Sequence, residues 1–212
     1  MKHEVPDTFW ITAPSGAGKT LVANELAARL GAPIVTDAAE MLALNRQDTS
    51  HKHHVHPNGD EAFLLTSSRH YDGVVQRLCS ALVSRPPGKV IVELARGVGD
   101  NQAVDPSYKR LLGLIPSAMF ARSAFVYVQA GFDQRTERNM GRRRRNFSDG
   151  LVAQSFFVPV AAMEGFYRRD DFMAVRNRFP CPTHVINNER MSLQGLRQQI
   201  DVLAARLGGS HG

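Results

Sequence analysis

Short apolar runs alternate with longer amphipathic stretches along most of the chain. Five runs suit buried strands, and they cover residues 9–13, 33–36, 90–93, 124–128 and 183–187. The stretches between them repeat apolar positions with helical spacing and predict helices over residues 18–30, 70–84, 106–121, 131–144, 160–177 and 192–207. Ser192 is expected to cap the last helix and Gly208 to end it. Strands that alternate with helices predict an α/β domain whose doubly wound, five-stranded parallel sheet is covered on both faces.

The first predicted strand leads into a glycine-rich turn. Residues 13–20 read Ala-Pro-Ser-Gly-Ala-Gly-Lys-Thr, with Ala13 where glycine is commoner, and a helical pattern follows. The two glycines allow backbone N–H groups to surround phosphate oxygens, and the helix adds its positive end. Lys19 is expected to meet the β- and γ-phosphates, and the Thr20 hydroxyl a Mg²⁺ ion. The predicted ATP-binding residues of this loop are Ser15, Gly16, Ala17, Gly18, Lys19 and Thr20. An ordinary turn between a strand and a helix is the alternative.

Ligands of such sheets bind beyond the carboxyl ends of the strands, so the residues that follow the strands are the candidates for chemistry. Asp37 follows the second strand, where a catalytic base would accept the proton of an attacking hydroxyl. The alternative is an N-cap for a helix that begins at residue 38. Glu93 ends the third strand and is expected to hold Mg²⁺ through water or to orient the acceptor, although a capping role is also open. Arg96 could pair with an acceptor phosphate or with Glu93.

An arginine-rich helix follows the fourth strand. It carries Arg138 and the run of arginines at 142–145, and we expect residues 135–160 to form a lid that closes over ATP. Guanidinium groups would stabilise the charge on the transferring phosphoryl group, with Arg138 and Arg142 as the main candidates. A solvated basic helix end or a nucleic-acid patch is the alternative. After the fifth strand, Asn187 and Asn188 are expected to read the adenine edge, although a simple turn also fits.

Residues 46–70 are polar and rich in histidine, and they are predicted to form an acceptor-site segment. The candidate substrate-binding residues are Asp37, His54, His56, Arg69, Glu93, Arg96, Phe156 and Phe157. Phe156 and Phe157 could stack on an exposed base. The histidines of this segment match no tight zinc signature, so no structural metal is expected, and a solvated loop is the alternative to acceptor recognition.

Composition favours a single domain over residues 1–212 with a flexible tail at 208–212. No apolar run approaches the roughly 20 residues that span a bilayer, and the first residues lack a signal-peptide core, so a cytoplasmic protein without a membrane partner is expected. The net charge is +6 and the pI about 9.7. Such an excess of positive charge favours a polyanionic partner such as DNA.

Residues 13–20, Asp37, Glu93, the arginines at 138–145 and the pair Asn187-Asn188 together resemble the P-loop nucleoside, nucleotide and polynucleotide kinases. The resemblance implies a sheet in the order 2-3-1-4-5 and Mg-ATP-dependent transfer to a hydroxyl or a phosphate. Asp37 makes the chain more similar to polynucleotide and small-alcohol kinases than to adenylate or thymidylate kinases. In arrangement the chain is also similar to bacteriophage kinases that phosphorylate 5-hydroxymethyluracil within DNA.

These observations predict an ATP-dependent phosphotransferase. The leading hypothesis has the γ-phosphate moving to a hydroxyl of a nucleotide unit, such as 5-hydroxymethyluracil in DNA. A kinase of a free nucleoside, nucleotide or small alcohol is the first alternative. A P-loop ATPase or switch that transfers no phosphate is the second, and an Arg-rich lid after a strand that ends in Glu93 favours a kinase over it.

Overall fold

The computed structural model describes residues 6–55, 64–100, 103–148 and 158–208. Within them the chain forms seven strands: β1 (Thr8–Ala13), β2 (Ile34–Thr36), β3 (His54–Val55), β4 (Leu64–Leu65), β5 (Val90–Ala95), β6 (Ser123–Gln129) and β7 (Thr183–Asn187). Five of them form one parallel sheet in the order β2-β5-β1-β6-β7, and β3 and β4 pair separately as an antiparallel hairpin. The five-stranded sheet thus has the predicted order 2-3-1-4-5, counting its strands along the chain.

Helices cover the sheet and connect its strands. They are α1 (Lys19–Leu30), α2 (Asp37–Gln47), α3 (Arg69–Ser84), α4 (Tyr108–Leu114), α5 (Ser117–Phe120), α6 (Phe132–Ser148), α7 (Val160–Tyr167), α8 (Phe172–Val175) and α9 (Leu193–Gly208). Ser192 accepts the N–H of Gly195 at 3.1 Å, which confirms it as the cap of α9. Gly208 is the last residue of that helix, and residues 209–212 of the predicted tail lie outside the described ranges. Across the described residues, no helix is both long and apolar enough to cross a bilayer.

The central strands of the sheet are buried on both faces. Every residue of β1 is buried, and so are the first six of β6, which explains why these segments read as continuous apolar runs. Trp10 stacks on Phe125 of the neighbouring strand with ring centroids 5.6 Å apart. The indole N–H of Trp10 donates to the Ser123 hydroxyl at 3.1 Å, so this large side chain is buried without an unpaired donor.

Two predicted helical segments are wrong in detail. The segment 106–121 divides into α4 and α5 at Pro116, which holds Ile115 in an extended conformation. The segment 160–177 divides because Arg169 leaves the helix and pairs with Val98 through two backbone hydrogen bonds. Helix α2 and the β3–β4 hairpin were absent from the predicted elements. Polar residues surround both, and their apolar periodicity is therefore weak.

The register of the parallel strands brings the candidate residues to one edge. Glu93 lies beside Ile11 of β1 on one side and beside Thr36 of β2 on the other. β1 and β5 stay paired for two more residues and end together at Ala13 and Ala95, whereas β2 ends at Thr36. All three ends lie at the carboxyl edge, where ligands of this architecture bind. The glycine-rich turn follows β1 at the same edge, and Asp37 follows β2.

Candidate active site

The glycine-rich turn adopts a backbone that only glycine accommodates at two positions. Gly16 has φ 82° and Gly18 has φ 98°. A Cβ atom on Gly16 would stand 2.3 Å from the backbone oxygen of Arg135, and one on Gly18 would stand 2.5 Å from the side-chain nitrogen of Asn188. The turn therefore packs directly on the two elements that follow β6 and β7. Helix α1 begins immediately after it at Lys19, so its free N–H groups face the turn.

Lys19 is buried at the start of α1, with 7% of its surface exposed. Burial lowers the pKa of its ammonium group, while the carboxylates of Glu93 and Asp37 act in the opposite direction. The positive charge of Arg142 adds to the lowering. A buried cation near two carboxylates and the guanidinium groups of Arg142 and Arg135 is the environment expected for a group that binds a polyphosphate.

Thr20 and Glu93 form a pair at the base of this site. The Thr20 hydroxyl donates to Oε1 of Glu93 at 2.7 Å, and Glu93 is buried, with 9% exposed. Hydroxyl and carboxylate oxygens are ligands that Mg²⁺ prefers, and the ion commonly retains water between itself and the protein. The structure thus brings together the two residues that the sequence predicted as the magnesium site. Magnesium binding by them stays a prediction.

Asp37 is the first residue of α2 rather than its cap. Thr36 fills the capping position and accepts the N–H of Ala39 at 3.4 Å, so the alternative role of Asp37 as an N-cap is wrong. Oδ2 of Asp37 instead accepts a short hydrogen bond from the backbone N–H of Ala95, at the end of β5. Burial raises the pKa of Asp37 above its ordinary value, and the nearby Lys19 opposes that rise.

Arg96 continues from β5 into the interior with 1% of its surface exposed. One of its terminal nitrogens donates to the Tyr71 carbonyl at 3.3 Å, and its guanidinium lies over the Tyr71 ring, 5.0 Å from the centroid. Its Nε has no hydrogen-bond partner among the described residues. Burial lowers the pKa of Arg96, and the phenol of Tyr71 and the carboxylate of Asp37 oppose this. A buried guanidinium that interacts with Asp37, and whose Nε–H is unpaired among the described residues, suits an anionic or hydroxyl group of a substrate.

Arg138 and Asn188 both donate hydrogen bonds to the backbone of the glycine-rich turn. The Asn188 side chain is buried and donates to the Ala17 carbonyl at 2.7 Å. Arg138 donates to the backbone oxygen of Asn188 at 3.2 Å and to that of Ala17 at 3.5 Å. Asn187 is exposed, and its backbone pairs with Gln199. These contacts give Asn188 a supporting role in the loop; adenine recognition by Asn187 and Asn188 stays a prediction.

Helix α6 contains residues 135–148 of the segment that was predicted as a lid. Arg135 is buried and donates to the carbonyls of Ala130, Tyr167 and Arg168, so it ties α6 to the end of α7. Arg142 is half-buried, and its charge acts on Lys19. The side chains of Arg143, Arg144 and Arg145, and residues 149–157 of the predicted lid, lie outside what the structure describes.

The predicted acceptor segment begins at the C-terminal end of α2. His54 is buried at the start of the hairpin, and its Nδ1 lies 3.1 Å from Oδ2 of Asp48. The same oxygen accepts the backbone N–H of His53 at 2.7 Å. Burial alone would raise the pKa of Asp48, but hydrogen bonds from the backbone of His53 and Lys52 hold it well below its usual range. An acceptor role for His54 stays a prediction, and His56 lies outside the described residues.

Three further predicted substrate residues are less informative. Arg69 is exposed at the first position of α3. Phe156 and Phe157 fall outside the described ranges. Their proposed contacts with an acceptor therefore rest on the sequence.

The sequence did not predict a buried pair of tyrosines next to Arg96. The hydroxyls of Tyr71 and Tyr167 share a short hydrogen bond in the interior, and burial raises the pKa of both, that of Tyr167 to about 12. Tyr71 also lies under Arg96. Both tyrosines sit on apolar helix faces, where an aromatic residue ordinarily indicates core packing, so the sequence contains no signal that distinguishes them.

No family model matches the chain, and no curated protein matches it in sequence. Solved structures do match its fold. A sugar kinase from a Janibacter species is 13% identical with a TM-score of 0.54, covering 96% of this chain and 95% of that chain. An APS kinase from Mycobacterium tuberculosis, solved with AMPPNP and APS, is 15% identical with a TM-score of 0.52, covering 97% and 98%. A shikimate kinase from Acinetobacter baumannii, solved with shikimate, is 13% identical with a TM-score of 0.50, covering 99% and 97%. The five-stranded sheet in the order 2-3-1-4-5, flanked by helices, is the fold of these P-loop kinases.

Proposed function

We propose that this protein is an ATP-dependent kinase that transfers the γ-phosphate to a hydroxyl group. The observation that carries the proposal is the convergence of Lys19, Thr20, Glu93 and Asp37 at one edge of the sheet, around a glycine loop with no room for side chains. Each group has a place in phosphoryl transfer. The fold similarity to solved kinases supports the same reading.

The proposed roles follow from the chemistry of each side chain. The loop N–H groups and Lys19 bind the β- and γ-phosphates. Arg138 and Arg142 stabilise the negative charge on the phosphoryl group during its transfer. Thr20 and Glu93 would hold Mg²⁺, which when bound neutralises phosphate charge. The acceptor oxygen attacks the γ-phosphorus and the bond to the bridging β–γ oxygen breaks, so that ADP leaves. The acceptor proton passes to Asp37.

Asp37 is suited to this step by its surroundings. A carboxylate with an ordinary pKa near 3.9 is a weak base, and a raised pKa brings it closer to the operating pH. Burial supplies that rise. The Ala95 N–H holds one carboxylate oxygen in place, which leaves the other for the acceptor.

For the acceptor, we propose a hydroxyl on a nucleotide unit in DNA, such as 5-hydroxymethyluracil. The support is the net charge of +6 and the arginine run at 142–145, which suit a polyanion. A small acceptor is the second candidate, and the buried Arg96 favours it. Its Nε has no hydrogen-bond partner among the described residues and its charge interacts with Asp37, which suits a compact polar or anionic group. The names of the matched structures, which include sugar, shikimate and APS kinases, agree with that candidate.

One transfer assay separates the candidates. Purified protein with Mg²⁺ and γ-labelled ATP is offered duplex DNA containing 5-hydroxymethyluracil, unmodified DNA, free nucleosides, and small sugars and hydroxy acids. Label on the modified DNA supports the DNA acceptor, and label on a monomer alone supports the small acceptor. The kinase proposal would be contradicted if ADP were released with no label on any acceptor, and at the same rate in the wild type and in Asp37→Asn. That result would favour an ATPase or switch.

A further inference from the structure

Three residues far from the phosphate loop meet where α2 ends and α3 begins. Asp48 caps the C-terminal end of α2, His54 starts the β3–β4 hairpin, and His70 is the second residue of α3. Each offers one ligand atom, and these atoms all lie within 4.8 Å of one another. His54 and His70 are 2% and 5% exposed, and the Asp48 side chain is 9% exposed. The cluster is therefore enclosed rather than solvated.

One ring nitrogen of His70 is buried. Its Nε2 has no hydrogen-bond partner among the residues that the structure describes. The ring lies beside His54, with centroids 5.9 Å apart, and beside His53, at 5.4 Å. Buried polar atoms are nearly always paired, so an unpaired ring nitrogen next to a histidine and a carboxylate calls for a bound partner.

His54 is oriented as a metal-binding histidine would be. Its Nδ1 lies 3.1 Å from Oδ2 of Asp48, close to the separation of about 3.3 Å between two ligand atoms on a tetrahedral zinc ion with bonds of about 2.0–2.1 Å. Its other nitrogen, Nε2, lies 3.2 Å from Nδ1 of His51. Ligating histidines typically donate their second N–H to a neighbouring acceptor, and His51 is placed to accept it.

Asp48 is held firmly enough to act as a ligand. The backbone N–H groups of His53 and Lys52 donate to its two carboxylate oxygens at 2.7 and 3.1 Å, and the Ser50 hydroxyl donates at 3.2 Å. These bonds fix the direction of the carboxylate toward His54. A neutral imidazole pair with one carboxylate is a donor set that zinc and similar divalent metals favour.

We propose that Asp48, His54 and His70 bind a divalent transition-metal ion of the zinc class. When the metal binds to Nδ1 of His54, the proton of that nitrogen moves to Nε2, which then donates to Nδ1 of His51, and His51 carries its own proton on Nε2. The spacing of these residues along the chain matches no zinc signature because the ligands come from three separate elements, and only folding brings them together. The proposal does not depend on kinase activity.

Such an ion would connect the end of α2, the start of the β3–β4 hairpin and the start of α3. His70 is followed directly by Tyr71, whose carbonyl and ring both contact Arg96. A metal bridge from the end of α2 to the start of α3 would therefore hold the support of Arg96 in place. Cross-linking a long polar segment in this way also removes conformational freedom from the unfolded chain.

Direct metal binding tests the proposal. Untagged protein is stripped with a chelator and desalted, then titrated with Zn²⁺ against a chromogenic competitor, and with Co²⁺ followed by its visible absorption. We expect one ion per chain, a tetrahedral-type Co²⁺ spectrum and a higher Tm with Zn²⁺. His70→Ala and His54→Ala should weaken Zn²⁺ binding by at least about 10-fold, and His184→Ala, which changes a half-buried histidine in β7, should not.

Two further variants, and the Tm of each variant without metal, distinguish loss of a ligand from loss of folding. His70→Gln and Asp48→Asn preserve side-chain size, and the Tm of each variant without metal shows whether it is folded. Folded variants that lose Zn²⁺ binding and its effect on Tm would support the site. Absence of stoichiometric Zn²⁺ binding in the wild type, or equal binding in the His70 and His184 variants, would overturn it.

Discussion

The hydroxyl of Thr20 donates a 2.7 Å hydrogen bond to Oε1 of Glu93, and this contact joins the start of α1 to the β5 strand. The two residues are far apart in the chain, and their meeting depends on the parallel pairing of β1 with β5, which places Glu93 beside Ile11. A hydroxyl and a carboxylate at that place provide oxygen atoms for Mg²⁺. The pair therefore predicts how catalysis should depend on the metal.

Loss of the Thr20 hydroxyl or of the Glu93 carboxylate should raise the Mg²⁺ concentration that activity requires. Glu93→Gln and Thr20→Val are each expected to raise the Mg²⁺ concentration for half-maximal activity by about 10–100-fold, because each removes a ligand or its hydrogen-bonded support. Thr20→Ser keeps the hydroxyl and is the matched control. Activity measured against Mg²⁺ at saturating ATP gives the answer, and an unchanged Mg²⁺ dependence in both variants would argue against this magnesium site.

Lys19→Ala should lower the rate of transfer by on the order of 10²-fold or more, because the ammonium meets charge that develops in the transition state. The thermal stability should not fall. Burial lowers the pKa of Lys19, so the folded protein gains nothing from placing that charge inside. Turnover and Tm are measured on the same preparation. Turnover close to that of the wild type would rule out the proposed ATP site.

Asp37→Asn should retain ATP affinity and lose transfer by roughly 10²–10⁴-fold, since the phosphate loop is intact and the base is gone. Asparagine can still accept the Ala95 N–H. ATP titration beside a transfer assay separates the two effects. If ATP binding is lost while transfer per bound ATP is normal, Asp37 has a structural role only.

The same carboxylate predicts a pH dependence. Because burial raises the pKa of Asp37, the wild-type rate should increase with pH through a midpoint above the ordinary value near 3.9, and Asp37→Asn should lack this limb. The raised pKa also means that stability from this group is lost as pH rises through the folded-state value. The asparagine variant should therefore match or exceed the wild-type Tm at neutral pH. A wild-type rate that falls as pH rises over this range would contradict the base assignment.

The central strands β1, β5 and β6 were predictable because they are almost entirely buried and read as apolar runs bounded by polar residues. The strand order came from the resemblance carried by residues 13–20, and the pairing of β1 with β5 and β6 confirms it. The glycine-rich turn between β1 and α1 was also predictable, because backbone geometry requires glycine at Gly16 and Gly18.

What the sequence did not reveal depends on contacts between distant segments. The contact of the Asn188 amide with the Ala17 carbonyl was not predicted, because only the packing of the β7 end on the loop creates it. The cluster around His70 was not predicted either, because His70 stands in an amphipathic helix, where a histidine normally indicates core packing or surface. Nothing in chain spacing brings His70 to Asp48.

Gly16→Ala should damage the loop directly. Its Cβ would stand 2.3 Å from a backbone oxygen, and φ 82° is strained for any L residue, at about 1–3 kcal/mol for the conformation alone. We expect a lower Tm and a large loss of ATP affinity. Gly113→Ala is the matched control, because its Cβ meets nothing within 4 Å and it lies within α4, where alanine is favoured. Equal ATP affinity in both variants would argue against the close packing of loop on α6.

If the acceptor lies in DNA, binding should weaken steeply with salt, because phosphates neutralised by arginine release counterions. Each contact contributes about −0.9 to the slope of log affinity against log salt for duplex DNA. With two to four arginines of the 142–145 run and its neighbours engaged, a slope of about −2 to −4 is expected. The measurement is fluorescence anisotropy of labelled duplex across a salt series.

Charge removal then separates DNA contacts from ATP contacts. Replacing Arg144 and Arg145 with glutamine should flatten the slope by about one to two units, since each substitution removes one phosphate contact. Loss of Arg138 or Arg142 should reduce catalysis more than DNA affinity, because Arg138 contacts the phosphate loop and the charge of Arg142 acts on Lys19. A flat salt profile for modified duplex, with efficient transfer to a free nucleoside or small hydroxy acid, would remove the DNA acceptor. The buried Arg96 would then become the group to test for recognition of a small acceptor.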